Sequence, residues 1–279
     1  FVLRKNHVPG YKGTYVRLIE PTTQQGKEDM FLAGENRYTA QQGNFSKIPG
    51  APVAYWVGEK TLSSFAHGAP LSKITPTRKG MFTGNNDYWL KLWYEIDYSK
   101  MFRKFKPYNK GGEYRKWYGN HEFVVDWSNN GENIKRYNGS GNIVPELYFH
   151  PCLTWSLVTS YKPSFRAILD NNHVMGDAGP IVVTKGNSSV YFYLLGLLNS
   201  KYTDSISALI APTINFSNGV AGSIPVVFLG HTRKQSIKRS KAVLPCLEWT
   251  GILMKFHGAS CNLLCSILLN RMTHRSCLE

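Results

Sequence analysis

Two stretches of this sequence combine cations, asparagines and large aromatic side chains. The longer one is Phe105 to Trp127, FKPYNKGGEYRKWYGNHEFVVDW, and a similar block, GMFTGNNDYWLKLWYEI, spans Gly80 to Ile96. Cationic side chains bind phosphates, and asparagine amides form hydrogen bonds with the edges of bases. The chemistry that these residue types suggest is therefore binding of a polyanion rather than a bond-making step.

The first half of the longer stretch is a basic loop with two consecutive glycines. Gly111 and Gly112 allow a tight turn or a close approach to another molecule. After them, HEFVVDW alternates in the manner of a β-strand. A basic glycine-containing loop that leads into an aromatic strand suggests a contact with backbone phosphates. The alternative is a solvated hairpin with ordinary surface lysines.

The aromatic and histidine residues allow structural and functional interpretations. For Trp89, Trp93, Trp117 and Trp127 we favour core packing over base stacking. His150 lies beside apolar strand residues, so we expect a hydrogen-bonded core histidine. For Asp170 to His173 we expect a turn in which Asx side chains bond their own backbone, rather than a metal or acid–base site.

Length and composition restrict the class of protein. The chain has 279 residues, 42% hydrophobic residues and a formal net charge of +15. The hydrophobic content supports a real core, and the charge favours a polyanionic partner, most often nucleic acid. No run approaches the ~20 apolar residues that span a bilayer, so we expect no membrane association.

Cysteine usage and the first residues suggest where the protein acts. Four of the five cysteines lie in the last 34 residues, without zinc-finger spacing or a disulfide framework. No signal peptide is evident, and Phe1 in place of Met suggests a start within a longer protein. We therefore expect a cytoplasmic location.

Many short strands and a few helices indicate the α+β class. Expected strands include Val53 to Val57, the HEFVVDW stretch, Leu147 to Ser160 and Phe165 to Leu169. The clearest helix is Ser189 to Lys201, which is apolar nearly all round and should be buried. Thr213 to Phe228 suggests a strand, a glycine-containing turn and a strand.

The composition changes after Phe228. From Gly230 onward there are eight Lys and Arg against two acidic residues. Such a segment could be a cationic tail that binds nucleic acid. Back-translation of Val243 to Cys265 two nucleotides forward, however, gives FTLSRMDWDSYEISWSFMQPPLL without a stop. We therefore expect residues 229–279 to be an out-of-frame tail with no evolved fold.

Several blocks together resemble a known family. They are YKGTYVRL, IPGAPVAYWV, GMFTGNNDYWLKLWYEID, KPYNKGGEYRKWYGNHEFVVDW, TWSLVTS, FYLLGLLNSK and PTINFSNGVAGSIPVV. In this order they resemble the C-terminal half of PglX, the adenine-specific DNA methyltransferase family of BREX phage-defence systems. The out-of-frame peptide also has the DWDSYE…W ending of that family.

The resemblance implies a division of the chain. Residues 1–20 would end the methylase domain, residues 21–228 would form a strand-rich target-recognition region, and residues 229–279 would be the tail. The family uses S-adenosylmethionine to methylate adenine N6 on a flipped-out base, with an Asn-Pro-Pro-Tyr motif. This chain contains neither that motif nor a GxGxxG sequence, so we expect it to bind no cofactor and to have no catalytic residue of its own.

The resemblance also assigns roles to the basic stretches. The expected partners are double-stranded DNA, the upstream methylase domain and other BREX components. Candidate phosphate contacts are Lys106, Lys110, Arg115 and Lys116, with a second cationic set at Arg78, Lys79, Arg103 and Lys104. Candidate contacts to adenine edges are Asn85, Asn86, Asn109 and Asn120. Specificity would reside in less typical segments, such as Ser128 to Asn142 or Asp170 to Gly176.

Two other classes of function remain at this stage. Trp, Tyr, Asn and Gly also line sugar sites, which would suit a carbohydrate-binding module, although the charge argues against it. The chain could also be the non-functional product of a truncated gene.

Overall fold

A computed structural model describes residue 5 and residues 8–159, 162–184, 188–211 and 213–227. The basic tail of residues 229–279, with its proposed change of frame, lies outside the described residues.

Within those ranges the chain alternates between short strands and short helices, so the predicted α+β class is confirmed. The strands are β1 (Lys12–Val16), β2 (Arg37–Gln41), β3 (Ala69–Pro70), β4 (Thr77–Arg78), β5 (Leu90–Leu92), β6 (Phe105–Asn109), β7 (Phe123–Asp126), β8 (Cys152–Trp155), β9 (Phe165–Ile168), β10 (Val174–Met175), β11 (Ile181–Val183) and β12 (Pro225–Val226). The helices are α1 (Gln24–Leu32), α2 (Glu59–His67), α3 (Leu71–Ile74), α4 (Asn86–Trp89), α5 (Ser128–Lys135), α6 (Ser188–Leu198), α7 (Lys201–Ile210) and α8 (Asn218–Gly222). Short 3-10 turns occupy Gln42–Lys47, Trp93–Glu95, Tyr98–Lys100 and Pro145–Leu147.

Two four-stranded sheets form the centre of the fold. The first has the order β10-β6-β7-β5, and the second has the order β4-β11-β8-β9. Within the first sheet, β6 and β7 pair antiparallel, with Lys106 opposite Val125 and Tyr108 opposite Phe123. In the second sheet, β8 pairs antiparallel with both β9 and β11.

Alternate residues of the second sheet belong to two different cores. Leu153, Ala167 and Val182 pack with α6 and α7, whereas Ile168 and Ile181 pack with residues of the first sheet. Successive side chains of a strand point to opposite sides of the sheet, so a strand that is buried on both sides is apolar throughout. The second sheet is therefore the middle layer between the helices and the first sheet.

The predicted apolar helix is confirmed as α6. Tyr193, Leu194, Leu195 and Leu198 are all buried in the core that α6 shares with β8 and β9. The Tyr191 hydroxyl also donates to the carbonyls of Cys152 and Ile168, at 3.3 and 3.2 Å. These bonds fix the helix against both strands.

Strands β1 and β2 form a separate two-stranded sheet. Strands β1 and β2 pair antiparallel, and the ring of Tyr15 stacks on Tyr55 with centroids 4.7 Å apart. The guanidinium of Arg17 lies 4.0 Å from the ring centroid of Trp56. The partner of β1 thus lies beyond the predicted domain boundary at residue 20, and that boundary stays a prediction.

Two local predictions were wrong. Residues Val53–Val57 form turns instead of a strand, because Tyr55 and Trp56 pack against Tyr15 and Arg17 rather than extending a ladder. The expected glycine turn before Pro225 is helix α8, which begins where the Ser217 hydroxyl accepts a hydrogen bond from the Val220 amide.

Because the second sheet is buried on both sides, shortening one of its side chains should lower the free energy of unfolding considerably. Leu153 is completely buried, so Leu153→Ala should lower the free energy of unfolding by about 2–5 kcal/mol. The control is Leu32→Ala in α1, where the side chain is 72% exposed and the change should stay within about 0.5 kcal/mol. Urea unfolding measures both, and equal losses would contradict the assignment of Leu153 to the core.

Candidate nucleic-acid interface

The glycine pair after β6 approaches the protein's own backbone. Gly111 has φ +85°, and a Cβ there would lie 2.5 Å from the carbonyl oxygen of Ala178. The Ser156 hydroxyl donates to the carbonyl of Gly112 at 2.6 Å. The close approach anticipated for these glycines therefore occurs within the fold, and it fixes the start of the basic loop.

A buried arginine on β9 lies beneath this loop. Arg166 is completely buried, and its guanidinium donates to the Ser156 hydroxyl at 3.1 Å and to the Arg115 carbonyl at 3.4 Å. Burial lowers the pKa of Arg166 to about 10, although the nearby carboxylate of Glu122 opposes this shift. The sequence analysis missed Arg166, and the only signal was a cation within the apolar strand FRAI.

The two adjacent cations of the loop have different surroundings. The Lys116 ammonium donates to the Asn199 carbonyl at 3.0 Å and lies 3.5 Å from the Asp204 carboxylate, where both side chains are largely buried. Arg115 is about half exposed and pairs loosely with Glu122 at 3.6 Å. Lys116 therefore ties the loop to α7, whereas Arg115 faces solvent.

Two of the four candidate asparagines are buried in structural roles. The Asn109 amide donates to the Thr154 hydroxyl at 2.7 Å and to the Gly179 carbonyl at 2.8 Å. The Asn120 amide donates to the Glu113 carbonyl at 2.9 Å, and the residue has φ +62°. These bonds hold the ends of the basic loop, and the two bonds from Asn109 use both of its side-chain amide hydrogens.

The other two asparagines lie exposed at the start of α4. The Asn85 side chain accepts a hydrogen bond from the Tyr88 amide at 3.1 Å and so caps the helix. The Asn86 side chain accepts one from the Thr83 hydroxyl at 2.7 Å. In both residues the side-chain oxygen therefore already accepts a hydrogen bond within the protein.

Lys106 on β6 and Lys110 just after its end lie over aromatic rings. The Lys110 ammonium is 4.2 Å from the ring centroid of Phe123, and the Lys106 ammonium is 5.9 Å from that of Phe149. Lys106 also donates to the Phe102 carbonyl at 2.5 Å. Within the described part of the chain neither lysine forms an ion pair.

The second cationic set divides between two clefts. Arg78 and Lys79 are exposed and line a cleft of about 540 Å³ with Phe82 and Asn142. Lys104 lines another cleft of about 510 Å³ beside α4 and α5. Arg103 precedes it on an exposed turn.

Lys104 is held by a carboxylate of that second cleft. Its ammonium lies 3.2 Å from Asp126. Burial works to raise the pKa of Asp126, but the hydrogen bonds from Ser128 and the ion pair with Lys104 outweigh it, so the pKa lies below its ordinary value of 3.8.

The histidine and aspartate predictions have mixed outcomes. The predicted Asx turn is confirmed, since Asp170 accepts a hydrogen bond from the Asn172 amide at 2.8 Å. Asp170 also contacts His173, whose other ring nitrogen lies 3.1 Å from His121. His150 is exposed, so its prediction as a core histidine was wrong, because the chain turns outward before β8.

Two of the four tryptophans that we expected in the core, Trp89 and Trp127, are buried there. Trp89 and Trp127 are almost fully buried, at 6% and 4% exposure, and belong to the core of the first sheet. Core packing is therefore confirmed for these two residues.

Within the residues that the structure describes, no group of histidine, cysteine and carboxylate side chains has the arrangement of a metal site. The same residues contain no helix with the length and apolar character needed to cross a membrane.

Comparison with known proteins gives the family. No protein-family model matches the chain. The adenine-specific methyltransferase PglX of Lacticaseibacillus casei (strain Zhang) is 32% identical over 251 residues, which cover 81% of this chain. This chain is related to the PglX methyltransferases. The resemblance drawn from the sequence blocks is thereby confirmed.

A second relative has a similar extent of match. The adenine-specific methyltransferase BrxX of Escherichia coli O9:H4 (strain HS) is 31% identical over 253 residues, or 87% of this chain. In both comparisons the chain spans only 21% of the relative's length. The match therefore shows kinship with one part of these PglX and BrxX proteins.

The contrast between the two loop cations is testable by their effects on stability. Lys116→Met should lower the free energy of unfolding by about 1–2 kcal/mol, because it leaves the largely buried Asp204 carboxylate without its closest cation. Arg115→Met removes an exposed pair and should change stability by less than about 0.5 kcal/mol. Thermal unfolding compares the two variants, and a larger loss for Arg115→Met would contradict the assigned roles.

The ion pair between Lys104 and Asp126 predicts that the stability of the fold depends on pH. A depressed folded-state pKa means that ionised Asp126 stabilises the fold above its ordinary pKa, and that this stabilisation is lost as the pH falls below 3.8. Asp126→Asn should therefore cost about 1 kcal/mol at pH 7 and less at pH 3. Urea unfolding at both pH values measures the difference, and a cost that does not change with pH would refute the titration account.

Proposed function

We propose that this chain is a DNA-binding, target-recognition part of a site-specific adenine-N6 DNA methyltransferase. Both relatives are named adenine-specific methyltransferases, and an enzyme that modifies adenine at chosen sites must hold the nucleic acid that contains it. The net charge of +15 suits such a polyanion. The setting would be phage defence of the restriction–modification type in the cytoplasm.

The observation that carries the proposal is the pair of lysines at β6, Lys106 within the strand and Lys110 just after it. Lys106 and Lys110 are held over Phe149 and Phe123 and, among the described residues, have no carboxylate partner. Aromatic support restricts a lysine stem without neutralising its charge, so less conformational entropy is lost when a phosphate binds. Exposed Arg78, Lys79, Arg103 and Arg115 would extend this surface along the duplex.

The buried members of the predicted set have another part in this proposal. Lys116, Asn109 and Asn120 already bond to the fold, so they would position the basic loop rather than touch DNA. Asn85 and Asn86 are exposed and remain the candidates for adenine contacts.

Methyl transfer itself would belong to the rest of the enzyme. The methyl donor would be S-adenosylmethionine, but the sequence has no Asn-Pro-Pro-Tyr motif and no glycine-rich nucleotide fingerprint. In the described residues, the parallel pair β6–β10 joins two residues of each strand and does not form a cradle that fits this cofactor. We therefore assign no chemical step to residues of this chain. The partners would be the methylase domain and other components of the defence system.

DNA binding by the two lysines is tested by replacing both with glutamine and comparing the result with the same replacement at two other lysines. Lys106→Gln with Lys110→Gln should weaken duplex binding for all sequences about tenfold at moderate salt. The slope of log affinity against log salt should fall by about two, since each phosphate contact contributes about 0.9. Fluorescence anisotropy of a labelled duplex at several salt concentrations measures both quantities.

The control removes the same charge elsewhere. Lys27 on α1 and Lys60 on α2 are exposed, so Lys27→Gln with Lys60→Gln should leave the slope almost unchanged. If both double variants reduce affinity equally, the binding is a general effect of net charge and β6 is not the contact. If the wild-type chain does not bind duplex DNA, the proposed function is wrong.

A further inference from the structure

One cleft contains features that duplex phosphate binding does not require. It has a volume of about 510 Å³ and lies where α4, the start of β6 and α5 meet. This is within the range of sites that enclose a small molecule or one residue of a polymer. Its lining combines aromatic rings with cations at Tyr88, Trp89, Tyr137, Lys91, Lys104 and Arg136.

The aromatic rings of this cleft, the Tyr88 cleft, form an ordered group. The rings of Tyr88 and Tyr137 are nearly parallel, at 10°, with centroids 6.0 Å apart. The indole of Trp89 meets both of them edge to face. Tyr88 is 64% exposed, so a large flat surface faces solvent beside a packed aromatic cluster. Such a surface suits stacking by a planar ligand.

The rim of the Tyr88 cleft is positively charged. Lys91 donates to the carbonyl of Asp87 at 3.4 Å and has no carboxylate partner in the described chain. The carboxylates that face the cleft cations are Asp126, which pairs with Lys104, and Glu132, which pairs with Arg136 at 3.2 Å. The Arg136 side chain is 82% exposed, so its pairing is weak and its charge is available.

One residue that lines the cleft has a polar donor without a partner in the described chain. The indole Nε1 of Trp89 is buried and has no hydrogen-bond acceptor among the described residues. A buried donor without an acceptor costs free energy. Asn133 also lines the cleft and offers both a donor and an acceptor.

We propose that the Tyr88 cleft binds one unstacked nucleobase, with its phosphate on the cationic rim. Stacking rings, an adjacent positive rim and amide groups are the elements by which proteins hold single-stranded nucleotides. The proposal deepens the DNA-binding function and relies on it for delivery of the strand. It adds a site for a base outside the duplex, whose lining does not include Lys106 or Lys110.

The test compares two short strands on the full chain. Fluorescence anisotropy would measure how tightly the chain binds two labelled strands. One strand contains five linked deoxyadenosine nucleotides, and the other is a deoxyribose-phosphate strand of the same length without bases. The wild type should prefer the strand with bases about tenfold, since stacking of one base contributes on that order. Tyr88→Ala should reduce this preference to about one, while Tyr88→Phe, which retains the ring, should keep it. Arg136→Gln should weaken both strands to a similar extent.

The outcomes separate this proposal from the proposed function. Duplex binding that depends on Lys106 and Lys110, together with equal binding of the two strands by the wild type, would overturn the base site alone. The same holds if Tyr88→Ala keeps the preference, or if a neutral oligosaccharide displaces the strand. A base preference that depends on Tyr88, without any duplex binding, would support the cleft and refute the proposed duplex contact.

Discussion

Burial of the second sheet on both sides is the constraint from which the other features follow. Strands β8, β9 and β11 have apolar side chains on the helix side, where Leu153 and Val182 lie, and on the side of the first sheet, where Ile168 and Ile181 lie. A strand of this kind leaves no solvent-facing side for polar residues. Any polar residue within it must therefore find partners inside the protein.

Thr154 and Arg166 show how this constraint forms the basic loop. Both lie at positions that point toward the first sheet, and both are buried. Thr154 accepts the amide of Asn109 at the start of the loop, and Arg166 bonds to Ser156 and to the Arg115 carbonyl further along. The solvent-facing cations therefore lie on a loop whose backbone is held in place by hydrogen bonds to the second sheet. A loop with a fixed backbone loses less conformational entropy on binding than a mobile loop.

Sequence patterns predicted the elements whose cause is local. Alternation identified β7, and apolar runs identified β9 and α6. Local pattern failed at Val53–Val57, because Tyr55 pairs with Tyr15, 40 residues earlier in the chain. It also could not separate Asn109 from Asn85, since the bonds that bury Asn109 come from residues 45 and 70 positions away. Arg166 was missed for the same reason: its role exists only once the loop has folded over it.

The partners of the cations indicate that some cations stabilise the fold and that others are available to bind phosphate. Lys116 lies beside a carboxylate in a largely buried pair, which is the arrangement of a structural contact. Lys106 and Lys110 lie over rings, and a ring attracts a cation without cancelling its charge. Lys91 and Arg136 line the aromatic Tyr88 cleft. All of these residues are cations, but only those of the second and third settings have charge available for a phosphate. The surface next to β6 therefore suits a continuous backbone, and the Tyr88 cleft suits a single base with its phosphate.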